Sequence, residues 1–194
     1  MFEILVPFII DRLKKHHELY NQQCKAEYWE EILCWTLKQS GLGSDWKPDS
    51  NHKSGIDQTT DDNTKISNKS GSIILDSIKI SGSRLTKHKT LKEKLEFLSD
   101  KKEDYIFCLA TDKKEWEKGI KRYYFVVIDS DKLNYHEQEW KETYGTKGRH
   151  KDKVNGWSCL SEVFSAKISK SMSDQLWTTV KLDYCEEIYE INIG

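Results

Sequence analysis

Two segments restrict the fold more than any others: DYIFCLAT at 104–111 and KRYYFVVIDSDKL at 121–133. Each contains a continuous apolar run of strand length. A strand with one wet face alternates apolar and polar side chains, so a run without alternation is covered on both sides. Both segments are expected as central strands of one sheet.

The flanking pattern supplies the rest of the architecture. In KAEYWEEILCWTLKQSG (25–41), Trp29, Ile32, Leu33, Thr36 and Leu37 recur with helical spacing, and the closing glycine suits a C-cap. Residues 42–54 are loop-like, and 55–62 and 64–81 are rich in β-branched residues, with Gly71-Ser72 expected as a turn or bulge. Thr90 is placed to cap a helix whose Leu91, Leu95 and Leu98 share one face. EQEWKETYG (137–145) is read as helical, 145–158 as an exposed basic loop, and the remainder mixes strand and helix signals. The apolar start, MFEILVPFIIDRLKKHH, is basic only after its apolar stretch, the reverse of a signal peptide, and reads as a first helix or strand. The expected class is α/β (α+β): a single mixed central sheet flanked by helices. Residues 1–194 are expected as one domain.

Composition narrows the class of function. Seven Trp and nine Tyr argue against disorder. No apolar run approaches the ~20 residues of a membrane helix. Five scattered cysteines without a CxxC pair fit reduced, buried thiols in a cytoplasmic protein. His16-His17 and His52 lack the spacing of a ligand set. The net charge of −1 does not suggest a polyanion partner, but its distribution does. Residues 79–94 hold Lys79, Arg84, Lys87, Lys89, Lys92 and Lys94 against Glu93 alone, and 145–153 hold Lys147, Arg149, Lys151 and Lys153 against Asp152.

The chemistry centres on SGID (54–57) and KISNKSG (65–71). Phosphodiester hydrolysis needs a divalent metal near the scissile phosphate and an activated water. Magnesium takes oxygen ligands, and a nearby lysine can orient the water or stabilise developing charge. An antiparallel hairpin can supply these groups. Its first strand ends at Asp57, its turn falls in Gln58–Thr64, and Ser67 and Lys69 share one face of the second strand because side chains alternate. A rival frame uses Asp76 and Lys79, but three residues of separation turn their side chains to opposite faces.

SGID followed by KISNKSG resembles the core of the PD-(D/E)XK nuclease superfamily, in particular its type II restriction endonucleases. The resemblance covers about 25–130, with 131–194 expected to complete the fold and the DNA contacts. It implies a restriction-endonuclease-like core, with Asp57 as the metal-binding aspartate and Lys69 as the catalytic lysine. The position of the second acid is held here by Ser67, a departure from the pattern. AEYWE (26–30) resembles the small-x-x-aromatic-Glu opening of the family's first helix, which makes Glu30 the candidate replacement, with Glu31 beside it. The implied metal shell is Asp57, Glu30 and the backbone carbonyl of Asn68, around Mg2+.

The implied activity is sequence-specific, Mg2+-dependent cleavage of double-stranded DNA by a prokaryotic, cytoplasmic homodimer. Two active sites related by a two-fold axis suit a symmetric site. Lys79, Ser81, Ser83, Arg84, Lys87, His88 and Lys89 are candidate DNA contacts, as are Lys147, Arg149 and Lys151. SKSMSDQLW (169–177) joins further contact-capable side chains to a tryptophan. The alternatives are a repair or resolvase nuclease of the same fold, and a non-catalytic DNA-binding protein on a degenerate nuclease core.

Overall fold

The computed structural model describes residues 2–43, 56–100, 103–146 and 151–194. Helix α1 (Val6–Leu19) begins with Pro7 in its first turn, where the missing N–H is harmless, and follows a short 3-10 turn at Glu3–Leu5. Helix α2 (Ala26–Gln39) buries Trp29, Ile32, Leu33, Thr36 and Leu37, and Gly41 follows it at φ +79°.

The strands are β1 (Gln58–Thr59), β2 (Lys65–Ile74), β3 (Ser77–Arg84), β4 (Tyr105–Asp112), β5 (Arg122–Asp129), β6 (Lys141–Tyr144), β7 (Val154–Leu160), β8 (Phe164–Ser169), β9 (Gln175–Lys181) and β10 (Glu187–Asn192). They form one sheet in the order β10-β5-β4-β2-β3-β9-β8-β7-β6, with β1 paired to β2. β2 and β4 run parallel, and the other pairs are antiparallel. The parallel pair is joined through β3 and helix α3 (Leu91–Ser99). Thr90 and Glu93 close a full capping box on α3, which fixes where it begins. A short helix α4 (Lys113–Glu117) links β4 to β5.

Both faces of the central strands are covered, by different elements. Ile66, Phe107, Leu109, Phe125, Val127 and Ile191 pack under α1 and α2. Ile73, Ile78, Ile106, Cys108, Val126 and Ile128 pack on the other side with Leu98 of α3 and with Leu133 and Tyr135. Burying each such side chain contributes roughly 1.5–3 kcal/mol, so these two layers carry most of the stability. No described helix is long and apolar enough to cross a membrane. All five cysteines are free thiols, four of them buried.

Four expectations change. Gly71-Ser72 is not a turn: both residues lie inside β2, paired with β3 and β4, and the turn is at Leu75–Asp76, with Leu75 at φ +56°. The glycine is there for close approach, since a Cβ at Gly71 would meet Cys108 Sγ at 2.8 Å and the Lys79 carbonyl at 3.0 Å. β1 is only two residues long, shorter than the strand expected over 55–62. Part of the segment expected to be helical, 137–145, is strand β6, paired antiparallel to β7. β7 in turn occupies the C-terminal end of the expected loop at 145–158. The tail completes the sheet on both sides: β10 extends it beyond β5, and β9 joins β3.

Lys94 is a buried cation in this framework, 1% exposed at its side chain. It donates to the carbonyl of Leu85 at 2.8 Å, to the carbonyl of His88, and to Asp174 Oδ2 at 3.0 Å. The β3–α3 connection is thereby tied to the start of β9.

Candidate active site

The site forms where the edge of β2 changes partner. On one side β2 is paired with β4 from Ile66 to Ile73. On the other, β1 pairs with Lys65 and Ile66, and β3 pairs from Gly71 to Ile74. Residues 67–70 lie between these partners, so the main-chain groups of Asn68 face a gap rather than a strand.

Asp57 fills that gap. Its N–H donates to the Ile66 carbonyl at 2.9 Å just ahead of β1, so the strand starts after Asp57 rather than ending there, and Gln58 and Thr59, expected in the turn, are strand. Its Oδ2 accepts from the Asn68 N–H at 2.5 Å and from Ser67 Oγ at 3.2 Å. Lys69 Nζ lies 3.9 Å from the same oxygen. The ammonium also donates to Ser67 Oγ and to the Asn68 carbonyl, each at 2.9 Å. A carboxylate, a hydroxyl and a main-chain carbonyl thus converge on one cation. Asp57 and Lys69 keep 31% and 27% side-chain exposure, so solvent and substrate can reach them.

Strand alternation sets what lies behind. Ser67 and Lys69 point to the α3 side, where Lys69 is paired with buried Cys108. Burial pushes the Cys108 thiol up, against a smaller opposing pull from the Lys69 ammonium. The thiol therefore stays protonated and is not a nucleophile. Ile66, Asn68 and Ser70 point to the α2 side. Asn68 is 5% exposed, and among the described residues neither its Oδ1 nor its Nδ2 has a hydrogen-bond partner. Thr36 Oγ1 of α2, Gln58 Oε1 and Ser70 Oγ are likewise buried and unpartnered among the described residues. This polar layer behind the active strand carries no sequence signal, because finding it requires knowing which helix covers which face.

Glu30 reaches the corner through its main chain: Gln58 Nε2 donates to its carbonyl at 3.2 Å. Asp62 serves the turn after β1, accepting from Thr60 Oγ1 and, at 3.2 Å, from the Thr64 N–H, and these bonds hold its carboxyl below the usual range. Among the described residues no three His, Cys, Asp or Glu side chains gather as a ligand set. The oxygen donors at Asp57, Ser67 and Asn68 are nonetheless the hard type that Mg2+ takes, with waters completing its shell.

The candidate DNA contacts do not form one surface. Lys79 and Ser81 lie on the face of β3 opposite to Ser67 and Lys69, and Lys79 Nζ sits 5.0 Å from the Trp177 ring centroid. Asp76 is in the hairpin turn at the far end of β2, so the rival pair Asp76 and Lys79 does not meet. Ser83 and Arg84 end β3, where Arg84 Nε donates to Gln175 Oε1 at 3.4 Å. Lys87 and Lys89 are exposed in the next loop, and the His88 ring stacks on Phe97 at 4.6 Å. Lys151 is exposed, while Lys147, Arg149 and His52 lie outside the described residues. The 169–177 segment divides between a 3-10 turn at Lys170–Met172 and β9. Compared with known proteins, the sequence matches no family model and no curated protein.

Proposed function

We propose that this protein is a Mg2+-dependent, sequence-specific endonuclease of the restriction type, acting on double-stranded DNA as a homodimer. The observation that carries the reading is the convergence of Asp57, Ser67, the Asn68 carbonyl and Lys69 in the gap of β2. Asp57, the Asn68 carbonyl and Glu30 would hold the metal. A Mg2+ ion held by these residues would supply charge withdrawal from the phosphate and activation of a water. Asn68 N–H keeps the Asp57 carboxylate aimed into the gap. Lys69, already hydrogen-bonded on two sides, brings a positive charge to the oxygens on which negative charge develops. Arg84, Lys87, Lys89 and Lys151 would meet the duplex backbone.

The test is digestion of a mapped plasmid with Mg2+. Discrete fragments are expected, and Asp57→Ala should abolish them while leaving DNA binding in Ca2+ largely intact. Substantial Mg2+-dependent cleavage by Asp57→Ala would overturn the assignment. One observation favours a second reading, a DNA-binding protein on a non-catalytic core: the β2 position of the expected second acid is held by Ser67, whose hydroxyl donates to Asp57 Oδ2 at 3.2 Å. Duplex binding without cleavage under any divalent metal would favour it.

A further inference from the structure

Beyond β2, the sheet continues without a described helix on the α2 side. Register defines what that face carries. Lys79 pairs with Thr179, and Thr179 with Ser165. Ser81 pairs with Trp177, and Trp177 with Lys167. Lys167 pairs with Ser158, and Ser158 with Lys141. Lys181 pairs with Ser77 at the end of the same face. Partners across adjacent strands point the same way. The opposite side chains of these strands, Ile78, Ile80, Phe164, Ala166, Ile168, Leu176 and Val180, are buried in the α3-side core, which confirms the sidedness.

This face therefore presents four exposed lysines from four strands, a row of hydroxyls, and Trp177 near its middle. None of its strand residues is acidic. Lys141 has an acid beside it, Glu139 at 3.7 Å, whereas Lys79, Lys167 and Lys181 are in no ion pair among the described residues. A merely solvated antiparallel face gains from opposite charges across strands. Here those positions hold Ser, Thr and, beside Lys167, Trp177, none of which neutralises the lysines. The Trp177 ring is half-buried, flanked by Lys79 and Lys167 on the neighbouring strands.

We propose that this open face binds single-stranded nucleic acid, with an unpaired base stacked at Trp177 and phosphates on Lys79 and Lys167. A flat sheet with one aromatic platform suits unstacked bases, because every base offers a π-face, and lysines on both sides track the backbone. A duplex hides those faces. The site is separate from the Asp57–Lys69 corner, which lies on the other side of the sheet, and it does not depend on the nuclease reading.

The experiment is fluorescence anisotropy with a labelled oligothymidylate of about 20 nucleotides in EDTA, where no cleavage occurs, over a series of salt concentrations. Trp177→Ala should weaken binding by about tenfold or more, and Trp177→Phe should restore most of it. Lys79→Gln with Lys167→Gln should reduce the slope of log affinity against log salt by about 1.4, at ~0.7 per charge. Thermal melts of each variant separate lost binding from lost folding. Absence of oligonucleotide binding by the wild type, or Trp177→Ala and the lysine pair binding as wild type, would overturn the proposal. Equal Trp177 and lysine dependence for phosphatidylserine vesicles, with no oligonucleotide binding, would overturn it in favour of a membrane surface. Plasmid cleavage is scored separately, so loss of either activity leaves the other reading standing.

Discussion

Replacing Lys94 with methionine tests how the basic segment before α3 is held. The methionine keeps most of the volume and removes the charge. The His88 carbonyl and the Asp174 carboxylate then lose this donor, while the Leu85 carbonyl keeps the His88 N–H at 3.1 Å. An unmade hydrogen bond at a buried acceptor costs about 1–3 kcal/mol, and removing one partner of a buried ion pair costs about 3–5 kcal/mol. Asp174 keeps 21% side-chain exposure, so water recovers part of that loss. The expected net effect is about 3 kcal/mol. For a chain of this size each kcal/mol moves Tm by about 2–4 °C, so a fall of about 6–12 °C is expected. Urea denaturation and a thermal melt by circular dichroism measure it. Adding Asp174→Asn should cost less than the sum of the two single changes, because the carboxylate is already stranded. A Tm within about 1 °C of wild type, or strict additivity, would refute the reasoning and reduce Lys94 to an ordinary pair.

Lys69→Ala should lose cleavage rate by orders of magnitude and Lys79→Ala should not, as single-turnover cleavage will show; the reverse result would restore the rival frame. Glu30→Gln is expected to lower activity severely, and Ser67→Glu in that background to recover part of it, since both would complete one metal shell; a fully active Glu30→Gln would remove Glu30 from that shell. Gly71→Ala should destabilise by about 1–3 kcal/mol in denaturation, because its Cβ must enter the space of Cys108 Sγ and the Lys79 carbonyl. Cys108→Ala should relieve part of that strain in the double variant.

The strongest sequence signals were those in which one local cause suffices. Continuous apolar runs announced β4 and β5, and Thr90 announced the start of α3. That Ser67 and Lys69 share one face followed from period-two alternation, whereas the placing of Asp57 beside them came from the resemblance of SGID and KISNKSG to a nuclease core. Signals with a distant cause were missed. Gly71 looks like turn chemistry, but Cys108 on another strand explains it. β6 has exposed or half-exposed residues throughout, so nothing in Lys141–Tyr144 alternates, and its pairing with β7 decides its conformation. Lys79, Lys141, Lys167 and Lys181 are far apart in sequence, and only the strand order assembles them.

The strand order also constrains how the chain can reach this state. β5 receives β10, β3 receives β9, and the Phe2 N–H donates to Glu187 Oε2 at 2.9 Å. The turn at Glu3–Leu5 is thus fastened to β10, and β9 and β10 to strands laid down much earlier. During synthesis, the edges of β3 and β5 stay unsatisfied until β9 and β10 have been made. Such long-range pairing gives a high contact order and slow folding. A nascent chain stalled before residue 175 would expose both edges at once, and it is at that stage, rather than after release, that aggregation or chaperone capture should concentrate.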